Sequence, residues 1–138
     1  MDAKRVVVVA EDDDDLRGLL LMALAADDRR LIEIEDGAEL LDYLEFLVAH
    51  GVQTHLPDLI VTDIRMPGAS GLEVVSLARA RGVSCPVVIL TAFPDDRLLA
   101  AAGAIAGTWM LGKPQPLEAI QTVVAAALAR SRAVGDLG

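Results

Sequence analysis

The sequence predicts an α/β fold: an open sheet of five parallel strands with helices on both faces. Three observations point to it. Short apolar runs and longer amphipathic stretches alternate five times along the chain. The runs Val6-Val7-Val8-Val9-Ala10 and Pro86-Val87-Val88-Ile89-Leu90 are apolar throughout, as in strands covered on both faces. A helical segment separates each strand from the next, which argues for parallel pairing with right-handed crossovers.

Residues 5–10 form the first strand, and Leu16, Leu19, Leu20 and Ala23 then recur at helical spacing. Leu31-Ile32-Glu33-Ile34 is a short second strand. Asp36 and Glu39 resemble a capping box for a second helix, striped by Leu40, Leu44 and Leu47 and stopped at Gly51. Pro57 introduces the third strand at 58–62. Ser70 and Glu73 form another capping box, before a helix carrying Leu72, Val75 and Ala78. The fourth strand covers 87–91. Pro94 and Asp95-Asp96 suit the first turn of a fourth helix, Arg97 to about Ala104, because acids there complement the helix dipole. The fifth strand is about 107–111. Pro116 opens the last helix, whose buried face carries Leu117, Ile120, Val124 and Leu128. Residues 131–138 read as a flexible tail.

Composition narrows the function classes. The 138 residues fit one domain, and 54% apolar residues fill a core and argue against disorder. Aromatics at 3% leave that core to aliphatic side chains. A net charge of −9, from 12 basic and 21 acidic residues, argues against direct nucleic-acid contact, which needs a basic face. No apolar run reaches the ~18 residues of a spanning helix, and Glu11 follows the first run too closely for a signal peptide. The only cysteine, Cys85, reads as a small buried hydrophobe and fits a reducing compartment. A cytoplasmic protein without a membrane partner is expected.

In open parallel sheets, ligands bind outside the carboxyl ends of the strands, where strand order reverses. Polar residues gather at those ends here. The first strand stops at Glu11-Asp12-Asp13, the third at Asp63, the fourth at Thr91, and the fifth leads to Lys113-Pro114. Converging carboxylates repel one another, and a hard divalent cation such as Mg2+, with its oxygen ligands, relieves that. Asp63 is placed to act as a nucleophile and accept a phosphoryl group as an acyl phosphate. Thr91 can donate a hydrogen bond to that group, and Lys113 supplies positive charge. Each residue also has a plainer role when taken singly: helix cap, turn former, strand-end cap or solvated lysine. Only their conjunction at four strand ends favours the chemical reading.

These segments together resemble the receiver domain of bacterial two-component response regulators. The matching residues are Val6–Asp12 with its acid pair, Pro57–Asp63 followed by Met66-Pro67-Gly68 and Gly71, Pro86–Ala92, and Gly112-Lys113-Pro114. The resemblance implies a flavodoxin-like fold with strand order 2-1-3-4-5, covering a receiver domain at residues 1–130. It implies that Asp63 takes a phosphoryl group from the phosphohistidine of a histidine kinase, or from a histidine phosphotransfer protein. Asp12, Asp63 and the Arg65 carbonyl would bind Mg2+ directly, with Glu11 acting through water. Thr91 and Lys113 would contact the phosphoryl oxygens, and a cis Lys113–Pro114 bond is expected. Such a domain is no enzyme toward other substrates; it catalyses only its own phosphorylation and dephosphorylation. Its output would be a downstream protein target, or self-association, through helix four, strand five and helix five.

The chain departs from the family pattern at three places. The acid pair is Glu11-Asp12 rather than two aspartates. Met110, beside Trp109, occupies a position that often carries a switching aromatic. The connection from His50 to Pro57 is long, and His50 and His55 are expected at the surface. Two other classes stay open: a receiver fold never phosphorylated and used only for interaction, and a phosphohydrolase acting on small molecules. The intact set Glu11, Asp12, Asp63, Thr91 and Lys113 argues against the first. Ile64 and Arg65, which leave no second acid just after Asp63, argue against the second.

Overall fold

A computed structural model describes residues 4–50, 56–92 and 95–137, the last seven of these by backbone alone. Gly51, His55 and Pro94 lie outside the described residues. Among the described residues strands and helices alternate: β1 (Arg5–Ala10), α1 (Asp14–Leu24), β2 (Arg29–Ile34), α2 (Gly37–Ala49), β3 (Leu59–Asp63), α3 (Gly71–Ala80), β4 (Val87–Thr91), α4 (Asp96–Gly103), β5 (Thr108–Gly112) and α5 (Leu117–Leu137). The strands form one parallel sheet in the order β2-β1-β3-β4-β5, as the sequence implies.

The continuous apolar strands are explained by two cores, one on each face. Val7, Val9, Leu59, Val61, Val88 and Leu90 point to the α1–α5 side, where Leu20, Leu24, Ile120 and Val124 cover them. The alternate residues Val8, Ala10, Ile60, Val87 and Ile89 point to the α2–α3–α4 side, against Leu40, Leu44, Val74 and Val75. Each such aliphatic side chain contributes about 1.5–3 kcal/mol when fully buried. Cys85 packs half-buried against this second core, and burial pushes its thiol up to about 11.

Two helices differ from the sequence reading. In α1 the buried residues are Arg17, Leu20 and Leu24, whereas Leu19 is 49% exposed. Leu16 to Leu24 is apolar nearly all round, so spacing alone does not select the buried stripe. Helix α5 continues to Leu137, through the segment read as a tail. Extending a helix is far cheaper than nucleating one, and Ala, Leu and Arg dominate its second half.

The caps hold as expected at their first half. Asp36 accepts from the Glu39 N–H at 2.8 Å and Ser70 from Glu73 at 3.1 Å; Asp95, expected in the first turn of α4, is instead its N-cap and accepts from the Leu98 N–H at 2.8 Å. The reciprocal bond of the first box goes elsewhere: Glu39 accepts from the Glu35 N–H, at 3.4 Å.

The loop after β3 is pressed against the start of α2. Gly37 N–H donates to the Pro67 carbonyl at 3.0 Å, and a Cβ on Gly37 would overlap the Ala69 carbonyl oxygen. Gly68, with φ +89°, faces Ala38 so closely that its Cβ would lie 2.6 Å from the Ala38 Cβ. Gly18, by contrast, lies on the exposed side of α1 with open space where its side chain would be. Gly37→Ala is therefore expected to cost about 1–3 kcal/mol through forced overpacking. Gly18→Ala should gain about 0.5–1 kcal/mol from reduced backbone entropy. Urea denaturation of the two variants checks the opposite signs, and a Gly37→Ala protein as stable as its parent would rule out a tight clamp.

Candidate functional site

Parallel pairing brings every strand's carboxyl end to one edge, and the register sets the spacing. Ala10 pairs with Thr62, Asp63 with Leu90, and Thr91 with Gly112. Glu11, Asp63, Thr91 and Lys113 thus sit on neighbouring strands ~4.8 Å apart. The side chains close the gap. Lys113 Nζ donates to Glu11 Oε1 at 2.7 Å and to Asp63 Oδ2 at 2.9 Å. One carboxylate oxygen each from Glu11, Asp12 and Asp63 lies within 4.8 Å of the other two.

The group is set into the surface rather than on it. Glu11 is 1% exposed and Asp63 9%, while Asp12 faces solvent. Backbone donors hold the carboxylates: Asp13 N–H to Glu11 Oε2 at 3.2 Å, and Arg65 N–H to Asp63 Oδ1 at 3.3 Å. Ile64 N–H donates to the Leu90 carbonyl, and Lys113 N–H to the Thr91 carbonyl at 2.6 Å, tying together the ends of β3, β4 and β5. A Cβ on Gly71 would overlap the Asp63 carbonyl oxygen, so only glycine lets α3 start this close behind the site. The Lys113–Pro114 bond is cis, as the resemblance implies.

Charge state follows from this geometry. Burial pushes the Glu11 carboxyl above its usual value; the Lys113 ammonium and Asp13 N–H pull it back only in part, and the charge on Asp63 adds to the rise. Burial acts to lower the Lys113 pKa, but hydrogen bonds to Glu11 and Asp63 outweigh it, so the amine holds its proton more firmly than usual. The donor set suits a hard divalent cation: three carboxylates with oxygens turned to one another, in a site with a charged amine at its rim.

The structure adds one residue that the sequence reading missed. Arg17 is 6% exposed and bonds the backbone of Glu11, the first of the acid pair. Its guanidinium donates to the Glu11 carbonyl at 2.8 Å, to Glu33 Oε1 at 2.7 Å and to Asp14 Oδ1 at 2.6 Å, with Glu35 at 3.7 Å. Hydrogen bonds to Glu33 and Asp14 raise its pKa despite its burial. The available signal was its place three and seven residues before Leu20 and Leu24, on the buried side of α1.

Met110 and Trp109 lie on opposite faces of β5. Met110 packs on the α2–α3–α4 side, and Trp109 on the α1–α5 side with the Arg130 guanidinium 5.8 Å from its ring. Trp109 therefore does not occupy the place of a switching aromatic on Met110's face. His50 is exposed and stacks on Phe46, as expected of a surface residue.

A doubly covered 2-1-3-4-5 sheet, with acids and an amine at its carboxyl edge, defines the phosphoacceptor class of signalling domains. The chain belongs to the response regulator receiver domain family, whose model matches residues 7–125. Among curated relatives, it is 41% identical over 76 residues to the transcriptional regulatory protein FixJ of Azorhizobium caulinodans, covering 55% of this chain and 36% of FixJ. It is 35% identical over 118 residues to the transcriptional regulatory protein TctD of Salmonella typhimurium, covering 74% of this chain and 53% of TctD. The chain thus spans about half or less of these relatives' length. Among solved structures, the signal receiver domain of a Vibrio parahaemolyticus protein described as a Luxo repressor shares the fold. Its TM-score is 0.81 at 24% identity, over 97% of this chain and 96% of that one. The chemotaxis protein CheY4 of Vibrio cholerae gives 0.73 at 22%, over 91% and 99%.

Removing the amine while keeping the acids tests the electrostatics. Lys113→Met leaves Glu11 and Asp63 facing each other and should cost roughly 2–3 kcal/mol at neutral pH, less than for a fully enclosed pair because the amine is partly exposed. The deficit should shrink as pH falls toward 4.5, because Glu11, whose folded-state pKa is raised, protonates early. Lys113's own contribution is complete below 10.5 and is lost as pH rises through its higher folded-state value. Denaturation curves of the cation-free proteins across pH read both slopes; a constant deficit at all pH values would contradict the pairing.

Proposed function

We propose that Asp63 is the phosphoacceptor and that a histidine kinase or histidine phosphotransfer protein is the donor. One observation carries the reading: the Lys113 ammonium bridges Glu11 and Asp63 in a recess where Asp12 completes an all-oxygen donor set. In the transfer, an Asp63 carboxylate oxygen attacks phosphorus. The P–O bond forms as the P–N bond to the donor imidazole breaks, and the imidazole keeps the electron pair. Lys113 and the Thr91 hydroxyl stabilise the charge on the transferred oxygens. Dephosphorylation is attack by water on the same phosphorus, returning the Asp63 carboxylate. The domain acts on no other substrate.

Asp12, Asp63 and the Arg65 carbonyl are the proposed direct ligands of Mg2+, with Glu11 acting through water. When bound, the cation neutralises charge on the attacking carboxylate and the arriving phosphoryl group. Phosphorylation adds about two negative charges and three acceptor oxygens, which draw on Thr91 and Lys113. The ties between β3, β4 and β5 carry that pull toward α4, β5 and α5. Among described residues α4 buries only Ala102, and Leu99 stands 48% exposed. That face is the proposed contact for a downstream protein or a second copy of the chain.

We place the function in residues 1–130 and the protein in the cytoplasm. No helix among the described residues is long and apolar enough to cross a membrane. The net charge of −9 favours protein over nucleic-acid contacts for this segment. Relatives such as the DNA-binding transcriptional regulator NtrC of Escherichia coli, of which the match covers 15%, are far longer than the part compared.

Acetyl phosphate with Mg2+ supplies the test. The parent protein should gain the mass of one phosphoryl group, and Asp63→Asn should gain none. Chelation of the cation should abolish labelling. No mass gain in the parent, under conditions where another receiver labels, would leave an interaction module without phosphoacceptor chemistry.

A further inference from the structure

The Arg17 network has no part in the chemistry proposed above, yet it is the most heavily bonded side chain beside it. The Glu11 backbone is held on both sides. Its N–H donates to the Ile34 carbonyl of β2 at 3.1 Å, and its carbonyl accepts from Arg17 Nη1 at 2.8 Å. The direction in which Glu11 and Asp12 leave β1 is therefore set by β2 and by Arg17 together. The same guanidinium gathers Asp14 from the first turn of α1 and Glu33 from β2, with Glu35 just beyond hydrogen-bond range. Those three acids flank Glu11 and Asp12 but stand outside the carboxylate set that includes Asp63.

We propose that Arg17 is a positioning residue that sets the divalent-cation affinity of the Glu11–Asp12–Asp63 site. It does so by fixing the acid-bearing turn and by keeping Asp14 and Glu33 engaged elsewhere. The inference rests on the cation-dependent reading given above. A planar guanidinium suits this work, because one group reaches a carbonyl and two carboxylates in different directions. Lysine keeps the charge but presents one compact ammonium, so it cannot hold the carbonyl and both acids in the same geometry. Partners that orient metal ligands typically change affinity by about 10–100-fold when removed. The effect expected for Arg17→Lys is at the lower end of that range, near tenfold, because the charge stays.

Mn2+ serves as the probe, its binding read by electron paramagnetic resonance and calorimetry on the full chain. The parent should bind one ion. Arg17→Lys should bind about tenfold more weakly and Arg17→Gln more weakly still. Leu24→Ala, which loosens the core beneath α1 without touching the turn, should lower the melting temperature and leave Mn2+ affinity unchanged. A purely structural role for Arg17 predicts instead that affinity follows stability across all three variants, and that outcome overturns the proposal. So does a folded Arg17→Lys protein with parental affinity. If neither Arg17 variant folds, the pair Asp14→Asn/Glu33→Gln decides, since it removes the anchors and keeps the arginine. It should bind more weakly than the charge-matched pair Asp27→Asn/Asp28→Asn, and equal affinities overturn the proposal. Failure of the parent to bind Mn2+ would instead remove the reading on which this inference stands.

Discussion

Glu11 and Asp63 face one another at the carboxyl edge of the sheet with almost no exposure, and the ammonium of Lys113 makes that arrangement tolerable. Without it, two charges would share a poorly solvated recess with one backbone N–H apiece and, among the described residues, no opposite charge bonded to either. The amine can do this only because β5 is the strand that pairs with β4, and because the Lys113 N–H is tied to the Thr91 carbonyl. The topology thus feeds directly into the electrostatics. Strand order decides which charges meet, and register decides that they meet within hydrogen-bonding distance.

The parts of the site legible in the sequence were those that sit where a run of apolar residues ends. Glu11, Asp63, Thr91 and Lys113 each follow or close a strand, so their positions reduce to the position of the strand. Helix α2 was legible from its spacing: Leu40, Leu44 and Leu47, four and three residues apart, are its buried leucines. Helix α1 was not. It carries leucine on every side, and its buried face includes an arginine whose partners lie in the turn after β1, on α1 and on β2. No local pattern encodes a side chain that bonds a carbonyl six residues back and a carboxylate sixteen residues ahead. The length of α5 escaped for a different reason. Gly135, a residue that weakens a helix interior, lies within its last turn, so the sequence there reads as an end rather than a continuation.

The loop after β3 shows how glycine positions shape the site from behind. Gly71 allows the Asp63 carbonyl to approach α3, and Gly37 allows the loop to lie against α2. Arg65, whose N–H meets Asp63, is carried between these two contacts. The segment next to Asp63 is therefore held at both ends by close backbone approach rather than by large side chains. Such contacts have little room to yield, so the backbone beside Asp63 is fixed in place.

The opposite holds on the other side of the site. Helix α4 has eight residues and buries one of them, whereas α2 and α3 bury four each. Elements with little buried apolar area open at low free energy. A displacement of α4 forfeits the packing of Ala102 and part of that of Leu98, while a displacement of α2 would expose Leu40, Leu44 and Leu47. Met110 reaches the same side from β5, and an unbranched thioether repacks with little strain. A rigid loop on one side of Asp63 and a lightly anchored helix on the other give any force generated at the carboxylate a preferred direction. Movement toward α3 meets four buried residues and movement toward α4 meets one, so packing makes the α4 side the cheaper one to displace.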